Sequence, residues 1–169
     1  MTFDFRAAAE AVAAVAREHA IAVDSSASFP TATVDAARKA GLFGLISGTD
    51  VGGHGLPLRA STHVIERIAR ECGSSAMVLT MHYCGTAVIE VHGERSVRQD
   101  IAQGRHLSTL AFSEAGSRSH FWAPTSTARA DGKHAVLDAK KSWITSAQQA
   151  TAYVCSSKQF TGTETTLLS

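Results

Sequence analysis

The hydrophobic period of this chain changes once, near residue 106. Before that point apolar residues recur at helical spacing, and after it they alternate as in strands. The strand-like part holds a strong turn signal. Asp131-Gly132 sits between Ser126-Thr-Ala-Arg-Ala and His134-Ala-Val-Leu-Asp-Ala, which predicts a β-hairpin. Residues 107–121 (LSTLAFSEAGSRSHF) read as a strand that runs into a polar, glycine-containing turn. Residues 140–147 (KKSWITSA) form a second hydroxyl-rich loop. The two loops are expected at the ends of adjacent strands. Further strands are expected over 151–157 and 163–168.

The helical part divides at its caps and glycines. Thr2 or Asp4 caps a first helix that reaches about Asp24, with Phe5, Ala8, Val12, Val15 and His19 on one face. Pro30 and Thr31 open a second helix, which Gly41 ends. Residues 58–72 make an amphipathic helix whose stripe is Leu58, Thr62, Ile65, Ile68, Ala69 and Cys72. The next helix starts at Ser74 or Ser75 and reaches about His92. It carries two stripes, Met77/Met81/Cys84/Val88/Val91 and Val78/His82/Gly85/Ile89, so burial on several sides is expected. Met77, Met81 and His82 admit two readings, core packing or the wall of an adaptable pocket. A short helix over 96–104 leads into the strands. The glycine-rich run 41–55 (GLFGLISGTDVGGHG) lacks both the P-loop pattern and a preceding strand, and reads as a turn-rich crossover.

Composition excludes several classes. The net charge of +1 with no basic block argues against nucleic acid. The three cysteines, Cys72, Cys84 and Cys155, are widely spaced and in no CxxC, so reduced thiols in a cytoplasmic protein are expected rather than a disulfide framework. The eight histidines form no ligand motif, so no metal is expected. The uncharged run 72–89 is too polar for a membrane span, and no signal peptide is visible.

The two loops carry a resemblance. Ala111-Phe-Ser-Glu-Ala-Gly-Ser-Arg-Ser-His120 is similar to the A-x-T-E-P-x-x-G-S-D signature of the acyl-CoA dehydrogenase family. Lys140-Lys-Ser-Trp-Ile-Thr-Ser146 is similar to its G-x-K-x-W-I-T-N signature, at the family's spacing. The resemblance extends over essentially the whole chain. It implies an α+β fold, with an N-terminal helical domain over 1–106 and part of an antiparallel, barrel-like middle β domain over 107–169. It implies FAD as cofactor, with Phe112, Ser113, Ser119, Trp143 and Thr145 in contact with it. Ser119, Arg118 and Met81 are expected on the substrate side.

The implied reaction is α,β-dehydrogenation of an acyl thioester, with electron-transfer flavoprotein or another acceptor as partner and a homo-oligomeric complete protein. The alternatives are a flavin-dependent monooxygenase on the same fold and a non-catalytic product. The family's further helical domain, which supplies the catalytic carboxylate, has no counterpart here, and 163–168 stops in mid-strand. The chain is therefore expected to be a fragment, colourless and inactive alone, with no catalytic base among its residues. Three positions depart from the first signature: Ala115 for Pro, Arg118 for Gly and His120 for Asp. Arg118 is expected near a coenzyme phosphate, with Phe121 and Trp122 adding bulk at the same rim.

Overall fold

The computed structural model describes residues 3–116, 120 and 123–158. Five α-helices come first: α1 (Phe5–Ser26), α2 (Thr31–Lys39), α3 (Leu58–Ala69), α4 (Gly73–His92) and α5 (Arg95–Ala102). Four strands follow: β1 (Ser108–Ala111), β2 (Thr127–Asp131), β3 (His134–Asp138) and β4 (Ala152–Cys155). The fold is α+β, as expected. The strand expected over 163–168 lies outside the described residues.

Local chemistry sets the helix ends. The Asp4 carboxylate accepts from the amides of Arg6 (3.2 Å) and Ala7 (3.1 Å), and so satisfies donors that the first turn of α1 leaves open. Ala27, with φ 49°, closes α1 in the left-handed region. The 41–55 connection is built of turns around a single 3-10 turn at Thr49–Val51. At Gly53 a Cβ would lie 2.2 Å from the Ser47 carbonyl oxygen, so only glycine fits that approach.

The main core packs α1, α2, α3 and α4 around Val12, Leu42, Phe43, Leu45, Val64, Ile68, Leu79 and Tyr83. Each large apolar side chain there contributes about 1.5–3 kcal/mol of gross burial. A second cluster of Ile89, Ile101 and Val154, flanked by Val88, Val97, Leu110 and Phe112, joins α4 and α5 to β1 and β4.

Two helix faces differ from their expected stripes. In α3 the buried positions are Ala60, Ser61, Val64 and Ile68, whereas Leu58, Thr62 and Ala69 are exposed. Packing against both α1 and α4 rotates the buried face away from the one that hydrophobicity alone selects. In α4 the Val78/His82/Gly85/Ile89 stripe is buried, but Met77 is 51% and Val91 74% exposed. Burial on several sides is therefore not what this chain shows; α4 buries one face against the core and β1 and turns the other outward.

β2 and β3 form the expected hairpin, antiparallel with Asp131 opposite His134, so the turn centres on Gly132 (φ 61°) and Lys133. β1 pairs with β4 in parallel, from Ser108 opposite Ala152 to Ala111 opposite Cys155. The strand beside β1 is thus β4, and the two signature loops do not leave neighbouring strands of one ladder. They meet through an antiparallel bridge between Glu114 and Lys141.

Candidate cofactor site

β1 ends at Ala111 and delivers Phe112, Ser113 and Glu114 to the edge of the second cluster. The Phe112 side chain packs against that cluster. The Ser113 carbonyl accepts from the Ser142 amide at 2.9 Å, which ties the first signature to the second. Thr109 Oγ1 donates to the Thr145 carbonyl at 2.6 Å, a second tie, from β1 to the second signature.

The third tie is ionic. Lys141 Nζ lies 2.7 Å from Glu114 Oε1, and the two side chains are only 6% and 2% exposed. The ammonium also donates to the Ser156 carbonyl (2.5 Å), Ser156 Oγ (3.2 Å) and Ser126 Oγ (3.4 Å). Glu114 Oε2 accepts from Thr125 Oγ1 (2.8 Å), the Ser126 amide (3.1 Å) and the Thr125 amide. Burial opposes ionisation of Glu114. The bonds from Lys141, Ser126 and Thr125 outweigh it and hold the carboxyl below the usual carboxylate range. No carboxylate in the two signatures is thereby left as a poised base, since Glu114 is committed to this node.

Between these anchors the second loop is unusual. Trp143 (φ 57°), Ser146 (φ 63°) and Gln148 (φ 70°) all occupy the left-handed region, and the Trp143 side is 92% exposed. A bulky residue at positive φ persists only where its surroundings over-determine it. Next to it, an open groove of about 640 Å³ runs between the α1–α2 connection, the start of α4 and the turn after Trp143. Phe29, Met77, Val78, Ile144 and Thr145 line it.

The structure therefore brings Thr145 and Met77 to one groove; Trp143 immediately precedes its lining residue Ile144, while Phe112, Ser113 and Trp143 do not line it. Met81 is half-buried on α4 and is not part of the groove lining; Met77, one turn earlier, takes that place. His82 is core. Its Nε2 donates to the Phe43 carbonyl (3.1 Å) and its Nδ1 accepts from the Ser108 amide (3.2 Å). Ser119 and Arg118, like Phe121 and Trp122, lie outside the described residues. Sequence reasoning passed over Lys141. Its one signal was a cation in the second signature facing an acid in the first. Among the described residues no group of three or more His, Cys, Asp or Glu side chains is placed to hold a metal ion. No described helix is long and apolar enough to cross a membrane.

The sequence profile of the acyl-CoA dehydrogenase N-terminal domain matches residues 4–104, more than half of the chain. The chain belongs to the acyl-CoA dehydrogenase family. It is 32% identical over 138 residues to the short-chain specific acyl-CoA dehydrogenase, mitochondrial, of Bos taurus; the match covers 78% of this chain and 33% of that protein. Among solved structures, butyryl-CoA dehydrogenase from Megasphaera elsdenii superposes with a TM-score of 0.79 at 16% identity, covering 90% of this chain and 42% of that one. An FAD complex of PigA superposes with a TM-score of 0.77 at 18% identity, covering 89% and 41%. The chain thus spans about a third of the curated relative's length, and the family profile covers its helical segment.

Proposed function

We propose that this chain forms one wall of a flavin site for α,β-dehydrogenation of an acyl thioester, with FAD as the flavin. The observation that carries the reading is the groove shared by Met77 of α4 and Thr145 of the second signature, beside an indole held outward at positive φ. A flavin needs a flat apolar face and hydrogen-bond partners along its polar edge. Trp143 offers the first, and the Phe112–Ser113 backbone, Ser113, Ser119 and Thr145 the second. The residues present fit such a group. A flavin held by these residues would supply hydride-accepting chemistry. The chain's own residues bind it, orient it and shield one side from water.

On the substrate side we assign Met81, with Met77 of the groove lining one turn before it, to an acyl chain, and Arg118 and Ser119 to its coenzyme end. The base that removes the α-proton is not assigned to any of these residues. A division near residue 106, an electron-transfer flavoprotein as acceptor, a homo-oligomeric assembly and a cytoplasmic location complete the reading.

The test is titration of the 169-residue chain with FAD, followed by quenching of flavin emission. Saturable, weak binding that short-chain acyl-CoA perturbs is the expected result. An unaltered flavin signal throughout the titration would overturn the assignment.

A further inference from the structure

Among the described residues the two sheets share no ladder, and at one end a buried cation joins them. β1 pairs only with β4 and β2 only with β3 among the described residues. Lys141 Nζ reaches Glu114 just after β1, Ser126 just before β2 and Ser156 just after β4. An ammonium has three protons and no flexibility in what it requires once buried. Here its charge faces a carboxylate and its remaining protons face a carbonyl and hydroxyls. The carboxylate in turn draws in Thr125 and Ser126. The chain beyond β4 is tied to the same place by Lys158, whose amide donates to the Ser126 carbonyl at 2.8 Å.

The node flanks the exposed indole. Lys141 lies two residues before Trp143, and the Thr145 carbonyl, held by Thr109 Oγ1, lies two residues after it. The Ser142 amide in between is bonded to Ser113. Three successive anchors therefore fix a loop whose left-handed backbone at Trp143 and Ser146 would otherwise relax. A buried ion pair adds little net stability compared with apolar packing of the same volume, whereas it specifies one arrangement of the groups around it.

We propose that Lys141 is a positioning residue: acting through Glu114, Ser126 and Ser156, it sets the Trp143 loop against the Ser113 end of β1. Its consequence for cofactor binding rests on the flavin reading above. Lys141 touches none of the groove and is assigned no contact with flavin or substrate.

Two measurements separate the proposal from that reading. Amide hydrogen exchange is recorded for the 169-residue chain as wild type, Lys141→Met and the charge-free double variant Lys141→Met/Glu114→Gln. The double variant leaves no carboxylate buried without its partner, so it folds where the single variant fails. The expected result is exchange at the Ser142, Thr125 and Ser126 amides faster by about tenfold or more, with the amides in the middle of α4 unchanged. FAD titration of the same proteins is expected to show a Kd raised by about tenfold or more. Unchanged exchange at Ser142 would overturn the positioning role whatever the flavin result. Faster exchange with an unchanged FAD Kd would confine Lys141 to joining the sheets and remove it from the cofactor site. If the wild type takes up no FAD, the flavin reading falls and the exchange data alone decide what Lys141 does.

Discussion

Trp143 and Ser146 share a backbone region yet call for opposite experiments. Trp143 is 92% exposed, so truncating it removes almost no packing. Trp143→Ala is expected to change unfolding free energy by less than about 0.5 kcal/mol while raising the FAD Kd by roughly threefold to tenfold through lost aromatic contact. Denaturant unfolding beside a flavin titration checks both halves, and equal flavin affinity would remove Trp143 from the site. Ser146 sits at φ 63° with a buried hydroxyl that has no hydrogen-bond partner among the described residues. It occupies the position where the family signature has Asn, a residue far more at ease in the left-handed region. Ser146→Asn is expected to stabilise the chain by roughly 0.5 kcal/mol, seen as a rise in melting temperature; a fall would show that the site has no room for the amide.

Helix α4 is the element on which the two halves of the chain meet. Gly85 allows β1 to approach: a Cβ there would lie 2.8 Å from Ser108 Cβ. Gly85→Ala is expected to cost about 1–3 kcal/mol of stability, because β1 must move back from the helix. Thermal unfolding tests this, and a variant as stable as wild type would mean that β1 is free to shift. One turn away, His82 bridges Phe43 and Ser108 in its neutral form. Burial, partly countered by the bond to Phe43, pulls its pKa down to about 4. Its folded value lies below its unfolded one, so its contribution is fully present above about pH 6.5 and is lost as pH falls toward about 4. The loss amounts to roughly 3 kcal/mol if the whole difference is expressed. His82→Gln should flatten that stretch of the stability–pH curve.

Acid sensitivity of the whole molecule comes from several places at once. On the outer side of the helices, hydrogen bonds from Arg17 and then Arg67 hold Glu71 down at about 2. A lowered carboxylate stabilises above its unfolded pKa and loses that contribution as pH falls through its folded one, so the Glu71 cluster begins to fail below about pH 4.5. The Glu114–Lys141 node follows the same sign. Unfolding is therefore expected to proceed in stages, His82 first and the carboxylates after it, as read by circular dichroism between pH 7 and 2. At neutral pH, acyl-thioester oxidation by the 169-residue chain alone is expected to be absent. Glu114, the acid of the signatures, is already committed to Lys141. Reduction of an artificial acceptor with several acyl thioesters checks this, and turnover would require a base elsewhere in these residues.

The order of helices and strands, the hairpin at Asp131 and the family signatures were legible in the sequence, because each depends on local chemistry: period, caps, and a turn that demands Gly132. Which face of α3 and α4 is buried was not, because Leu58 and Met77 are as hydrophobic as Val64 and Val78 and only the neighbouring elements choose between them. The parallel pairing of β1 with β4 joins segments some forty residues apart, and no local signal marks it. The same holds for the proposed cofactor site. Its residue types stand in two short motifs, but their common place is set by one buried ion pair, two further hydrogen-bond ties and the close approach that Gly85 permits. Those contacts exist only once the helices have packed, since a lysine and a glutamate 27 positions apart have no reason to meet in the unfolded chain.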